Sequence, residues 1–140
     1  MEIKATRKDA VDRFMKGFNC CQSVICAYCE ELGVKEEDIF KMTEGFGSGM
    51  GGLKDTCGAV SGMFMAISLA NSKSTFDDPK VTKMDTYEKF QKAAAKFKEK
   101  HDSIYCRDLL TEQGKQPLNC CIRCVDDAAA IVDEMLKEID

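Results

Sequence analysis

Apolar residues recur every three or four positions along nearly the whole chain, and no segment alternates β-branched and polar residues with a period of two. That spacing gathers the apolar side chains of each segment on one face of a helix, so the chain reads as all-α. Val11, Phe14, Met15 and Phe18 form the face of a first helix opened near Thr6, and Cys21, Val24, Ile25, Tyr28 and Leu32 form that of a second. Asn19 is the expected N-cap of the second helix and Gly33 its stop. A short helix over about 36–44 leads into a glycine loop. A fourth helix, capped by Asp55 or Thr56, is apolar on most sides and is expected inside the bundle. After a polar linker over 72–80, Val81, Met84, Tyr87, Phe90, Ala94 and Phe97 mark a long amphipathic helix. Asp102 or Ser103 is expected to cap a short helix through Leu109 and Leu110. Gly114 to Pro117 break the chain, and Asn119 caps a last helix with Val125, Ala128, Ala129, Val132, Met135, Leu136 and Ile139 inward. The expectation is one domain, residues 1–140, folded as a bundle of six or seven helices with a glycine-rich loop before a buried central helix.

Charge removes several functions. The net charge of -4 with no long basic run argues against a nucleic-acid surface, which needs a clustered positive face. The longest uncharged run, Thr56–Ser72, is shorter than the ~20 residues that span a bilayer, so no membrane insertion is expected. The first residues, Met1 to Lys8, are charged and carry no apolar leader core, which places the expected chain in the cytoplasm. There thiols stay reduced. The nine cysteines therefore point to metal binding or redox chemistry more than to stapling. A conventional hydrolase is disfavoured, because no histidine accompanies a candidate nucleophile and no paired acid signature appears.

Seven of the ten glycines lie between positions 45 and 62. Gly47-x-Gly49-x-x-Gly52 formally matches a dinucleotide fingerprint, but that motif works after a strand in a βαβ unit, and no strand is expected here. The loop is either a tightly turned connector or a backbone that approaches a bound group, with Gly47, Gly49, Gly51 and Gly52 nearest the site. Gly58 and Gly62, one turn apart, suit close helix packing.

Four helix starts each carry a thiol: Cys20 and Cys21 after Asn19, Cys57 after Thr56, Cys106 after Asp102-Ser103, and Cys120 and Cys121 after Asn119. A helix N-terminus favours thiolate, which is both nucleophile and metal ligand. Cys26–Cys29 and Cys121–Cys124 also have Cys-x-x-Cys spacing, which suits zinc, an iron–sulfur cluster or a dithiol. Neither precedes a histidine, so covalent haem attachment is not indicated. Cys21 falls in an apolar stripe and reads as core, whereas Cys26 points away from that stripe and reads as exposed. His101 reads as a solvated residue complementing a helix C-terminus.

In combination, Gly17-Phe18-Asn19-Cys20-Cys21-Gln22-Ser23-Val24, the glycine loop 45–51, Cys57-Gly58-Ala59-Val60-Ser61-Gly62, Cys106-Arg107-Asp108-Leu109-Leu110 and Cys121 ahead of Val125 resemble the redox-active family labelled by its C…GCAxxG…C…C cysteine pattern. The resemblance covers about residues 10–139. It carries the family's four cysteines onto Cys20, Cys57, Cys106 and Cys121, with Cys120 as the alternative fourth. The pattern is also similar to the cluster-bearing part of split-Soret cytochromes, where cysteines hold a [2Fe–2S] centre. The resemblance implies one four-thiol site used for electron transfer through such a cluster or, metal-free, for thiol–disulfide chemistry, with an unidentified redox partner protein. A zinc-binding structural or sensory protein is the alternative, since four thiolates also complete a tetrahedral zinc site. A plain helical interaction module would leave the thiols dispersed. A homodimer sharing a cluster or disulfide would also satisfy the pattern.

Overall fold

In the computed structural model the described residues are 1–112 and 117–139. Their helices are α1 (Arg7–Met15), α2 (Cys20–Ala27), α3 (Cys29–Leu32), α4 (Glu36–Met42), the short turn α5 (Gly47–Met50), α6 (Gly58–Asn71), α7 (Lys83–His101), α8 (Cys106–Glu112) and α9 (Pro117–Lys137). Setting aside the single turns α3 and α5 leaves seven, the all-α bundle the periodicity implies. Among the described residues there is no strand, only an isolated antiparallel bridge between Thr56 and Tyr105. No helix among them is long and apolar enough to cross a membrane.

α2 lies at the centre, against α1, α6 and α9, while α7 covers α6 and α9. Every residue of α2 is buried. Val24, Ile25, Val60, Met63, Ile67, Val132 and Leu136 fill the core, each contributing about 1.5–3 kcal/mol on burial. Tyr28 is fully buried and satisfies its hydroxyl by donating to the Ala129 carbonyl at 2.9 Å. Arg7 ties α1 to Asp126 and Asp127 of α9.

Several boundaries differ from the sequence reading. Tyr28 (φ -109°, ψ 7°) interrupts the second helix with no glycine or proline to announce it, and Gly33 then ends α3 in the left-handed region at φ 71°. α6 opens at Gly58, so Cys57 itself is the N-cap, not Asp55 or Thr56. Asp102 is the left-handed end of α7, and α8 starts only at Cys106. Ser103 instead accepts the Tyr105 N–H and donates to Asp108. α9 begins at Pro117, a residue suited to a first helical turn, so Asn119 lies within the helix. The expected break at 114–116 lies outside the described residues.

Two burial expectations also change. On α7 the inward residues are Thr86, Ala93, Phe97 and His101, with Phe90 stacked on Phe64; Val81, Met84 and Tyr87 are exposed. Steps of three precess around a helix, whereas the 4-3-4-4 steps through Thr86 and Phe90 hold one face. Asn71 at the end of α6 draws that face in by donating to both Asp85 and Thr86 at 2.9 Å. His101 is buried at 7% exposure. Its Nε2 lies 2.8 Å from Asp127 and its ring stacks on Phe97, because α9 runs alongside the end of α7.

Candidate functional site: a cavity lined by six thiols

Local backbone chemistry brings the sulfurs together. Asn19 caps α2 reciprocally: its side chain accepts the Gln22 N–H at 2.9 Å, and the Gln22 side chain accepts the Asn19 N–H at 3.0 Å. This sets Cys20 in the first turn. The Asn19 amide also donates to the carbonyls of Thr43 and Glu44, anchoring the chain as it enters the glycine loop. There Ser48, Gly49, Met50, Gly51, Gly52 and Lys54 all have positive φ. The three non-glycines cost about 1–3 kcal/mol each in such a conformation, and bonds across the loop hold it. Asp55 N–H donates to Gly49 O at 2.9 Å and Gly51 N–H to Gly47 O at 2.9 Å.

The loop then clasps the segment before α8. Cys57 N–H donates to Ile104 O, and Cys106 N–H to Asp55 O, both at 2.7 Å; Arg107 N–H donates to Lys54 O at 3.1 Å. This two-segment clasp delivers Cys57 and Cys106 to the same place. Gly49 is sterically required there, since a Cβ would stand 2.7 Å from Cys106 Cβ and from the backbone of Lys54 and Asp55.

The result is a cavity of about 290 Å³ whose wall includes Cys20, Cys57, Cys106, Cys120, Cys121 and Cys124. Phe14, Leu109 and Leu110 make it apolar, and the other polar side chains among the described lining residues are Asn19, Ser48 and Lys54. Lys54 Nζ donates to Ser48 Oγ at its edge. Of the four loop glycines singled out by sequence, Gly49 lines the cavity. Gly47 instead packs on the Asn19 side chain and Gly51 lies against the Gly45 carbonyl, while Gly52 does not line it.

The thiols are not equivalent. The neighbouring Cys124 thiol and the amides of Val60 and Ala59 at the start of α6 pull the Cys57 pKa below the ordinary thiol value against the cost of burial. Cys124 is pushed up in turn by its Cys57 neighbour and by burial. Cys121 is brought down to about 7 by a hydrogen bond from Cys20 and by the nearby Lys54 charge, against burial. Cys20 is pushed up correspondingly. Burial raises Cys106 and takes Cys120 to about 11, while Cys120 donates to the Leu109 carbonyl. The cavity thus holds two sulfur pairs, Cys20–Cys121 and Cys124–Cys57, and in each the pKa of one thiol is pulled down and that of its partner pushed up. Among the described residues, no three His, Cys, Asp or Glu side chains gather tightly enough to hold one metal ion.

Cys121 is the one cysteine not fully buried. Its alkylation rate by iodoacetamide is expected to rise roughly tenfold per pH unit below about 7 and to level off above it, because only thiolate reacts. Cys120 is expected to keep gaining reactivity beyond pH 9. Fragment-ion mass spectrometry of the peptide that carries both residues separates the two.

Sequence reasoning offered Cys120 only as an alternative to Cys121 and did not place Cys124, Ser48 or Lys54 at the site. The signal for the two cysteines was present: Cys120, Cys124 and Ala128 are spaced by four along α9, on its buried stripe. Lys54 and Ser48 carry no such signal, because the loop conformation alone brings them to the cavity. Cys21 is fully buried outside the cavity wall, with burial raising it to about 12.

The family model described as "Putative redox-active protein (C_GCAxxG_C_C)" matches residues 18–135. A protein of Archaeoglobus fulgidus described as uncharacterized is 28% identical over 146 aligned positions, covering 98% of this chain and 97% of its own length. No solved structure matches the chain.

Proposed function

This chain belongs to the C_GCAxxG_C_C redox-active family, and from that premise we propose that it is a small cytoplasmic redox protein whose working site is the sulfur-lined cavity. The observation that carries the reading is the gathering of six cysteines on one cavity wall, and within it the pKa values of Cys57 and Cys121 are pulled down beside partners pushed up. A buried nucleophilic sulfur beside a protonated one is the arrangement that thiol–disulfide exchange uses.

Cys121, partly exposed and with a thiolate near neutral pH, attacks one sulfur of a partner disulfide. The partner's S–S bond breaks, its first thiolate leaves, and a mixed disulfide forms on Cys121. Cys20 then attacks the Cys121 sulfur, and its proton passes to the second leaving thiolate. The chain ends with a Cys20–Cys121 disulfide and the partner with one thiol and one thiolate, the latter taking its proton from water, so two electrons have moved. Cys57 and Cys124 hold a further two deeper in the cavity.

A second reading rests on four family thiols meeting in one cavity. Cys20, Cys57, Cys106 and Cys121 match in kind and number the thiolates that hold a [2Fe–2S] cluster, which when bound would supply one-electron transfer. Lys54 and the amides of Ala59 and Val60 would offset the negative charge of those sulfurs. The pairing of the thiols supports redox use over a closed zinc site, which needs all four sulfurs around one point.

The test is to purify the protein without oxygen, measure iron, acid-labile sulfide and zinc per chain, and expose it to a small-molecule disulfide. Exchange mapped to Cys20 and Cys121 supports the first reading, and iron with equal sulfide supports the second. Stoichiometric zinc with no exchange contradicts both.

A further inference from the structure

Outside the cavity, Cys26 and Cys29 are only 1% and 2% exposed, although the helical stripe implies an exposed Cys26, because α4 folds over them. Each thiol donates to a backbone carbonyl, Cys26 to Glu36 and Cys29 to Ile25, so the two belong to the core. The chemistry not yet used lies at the cavity edge, in the side chains of Ser48 and Lys54. Both hold positive φ, 52° at Ser48 and 58° at Lys54, in a loop with glycine at positions 45, 47, 49, 51 and 52. Glycine would adopt that backbone without the steric cost, so these two side chains are kept against strain, which points to use. Met50, strained in the same way, contacts Ser61 Oγ at 3.9 Å and packs on α6. Ser48 and Lys54 are exposed instead, and Lys54 Nζ donates to Ser48 Oγ.

The backbone fixes this pair in place. Lys54 N–H donates to Ser48 O at 3.3 Å, and Lys54 O accepts the Arg107 N–H at 3.1 Å. Lys54 Cα and Cys106 Cβ each stand 2.7 Å from the point a Cβ on Gly49 would occupy, so the lysine leaves the chain beside a cavity sulfur. An ammonium has further hydrogens to donate, and the Ser48 hydroxyl keeps its own because its oxygen accepts from Lys54. Lys54 makes no ion pair among the described residues, and its neighbour Asp55 lies 3.9 Å from Arg107 instead. Lys54 is also the sole charged side chain among the described lining residues.

The cavity therefore offers sulfur and hydrocarbon along its wall, and one cation with a hydroxyl at its edge. Its volume of about 290 Å³ stands at the small end of small-molecule sites, which suits a small ligand rather than a segment of folded protein. The geometry points to Lys54 and Ser48 as the anchor for the carboxylate of a small disulfide, whose S–S bond then lies against the cavity thiols. This rests on the exchange chemistry proposed above and names its substrate class. Cys121 Sγ attacks the sulfur of the anchored half, the S–S bond breaks, and the other half leaves as a thiolate that takes its proton from water. Cys20 then attacks the Cys121 sulfur, and the anchored half leaves with the Cys20 proton.

The test exposes the reduced full chain to dithiodipropionate, bis(hydroxyethyl) disulfide and cystamine, which are anionic, neutral and cationic. Exchange at Cys121 is mapped, and each rate is divided by that of the same disulfide with free mercaptoethanol. The anion is expected to react about tenfold faster than the neutral disulfide, the lower end of what hydrogen bonds to a charged group supply, and cystamine slowest. Lys54→Met is expected to bring the three together, and Lys54→Arg to keep them apart. The ratio is the readout because a change in Cys121 itself moves all three alike. Equal normalised rates in the wild-type chain overturn the anchor and leave exchange standing. Where no disulfide reacts, exchange fails, and calorimetry with the thioether thiodipropionate, which has no S–S bond, decides the anchor alone. Binding that is lost in Lys54→Met supports it, and binding that is absent or survives that change overturns it.

Discussion

Cys121→Ser is expected to slow exchange with a small disulfide at neutral pH by roughly a hundredfold or more, the penalty of relying on a thiol two pKa units higher. Serine supplies no nucleophilic sulfur. Cys20 cannot take over, because burial holds its proton on even without its partner. Position 121 is partly exposed and inside a long helix, so the change leaves the fold intact by circular dichroism. Cys57→Ser is the informative companion. Position 57 is the N-cap of α6 and a serine hydroxyl is a good N-cap, so stability is expected to stay within about 1 kcal/mol. Exchange at Cys20–Cys121 then persists, while any iron–sulfur occupancy and the deeper dithiol are lost. Loss of all exchange in Cys57→Ser, with folding intact, would show that the two pairs work as one.

Gly62→Ala is expected to be among the most damaging small changes in the chain. An added Cβ would stand 2.7 Å from the Cys21 carbonyl oxygen and 3.1 Å from Val24 Cβ. The first is backbone in the opening turn of a fully buried helix and cannot move aside. α6 must therefore separate from α2, at about 1–3 kcal/mol, lowering Tm by roughly 5–10 °C. The same shift carries Cys57 away from Cys20, because Gly58 packs one turn earlier against Cys20 Cβ and the Cys21 amide. Redox behaviour is thus expected to suffer along with stability. Gly45→Ala is the control: nothing lies within 4 Å of the Cβ it would add, and Gly45 has no positive φ, so its Tm should be nearly unchanged.

The helices were legible because each carries its own apolar period, and the α2 cap because Asn19 and Gln22 form a local motif. Boundaries fixed by distant partners were not. Cys57 becomes a cap because its amide is held by Ile104 and its segment is clasped to the start of α8, a contact between residues nearly fifty positions apart. The inward turn of His101 depends on Asp127 of α9, and the burial of Cys26 depends on α4 arriving above it. At the site, sequence supplied the four family cysteines and the idea of thiols at helix starts. Three of them do sit at helix starts, but Cys121 lies a full turn inside α9 and draws its thiolate character from Cys20 and Lys54 instead. The proton partnership of Cys57 with Cys124 is a tertiary fact, set by the crossing of α6 and α9.

The central claim is that the cavity sulfurs store and release electrons. A potentiometric titration of anaerobically purified protein, with absorption and peptide-mapped thiol labelling read at each potential, tests it most directly. The account predicts a reversible transition between roughly -400 and -100 mV, seen in the labelling of Cys20 and Cys121 or in the visible absorption of a bound cluster. Labelling and absorption that stay flat across that range, with the four family thiols unchanged throughout, would contradict it.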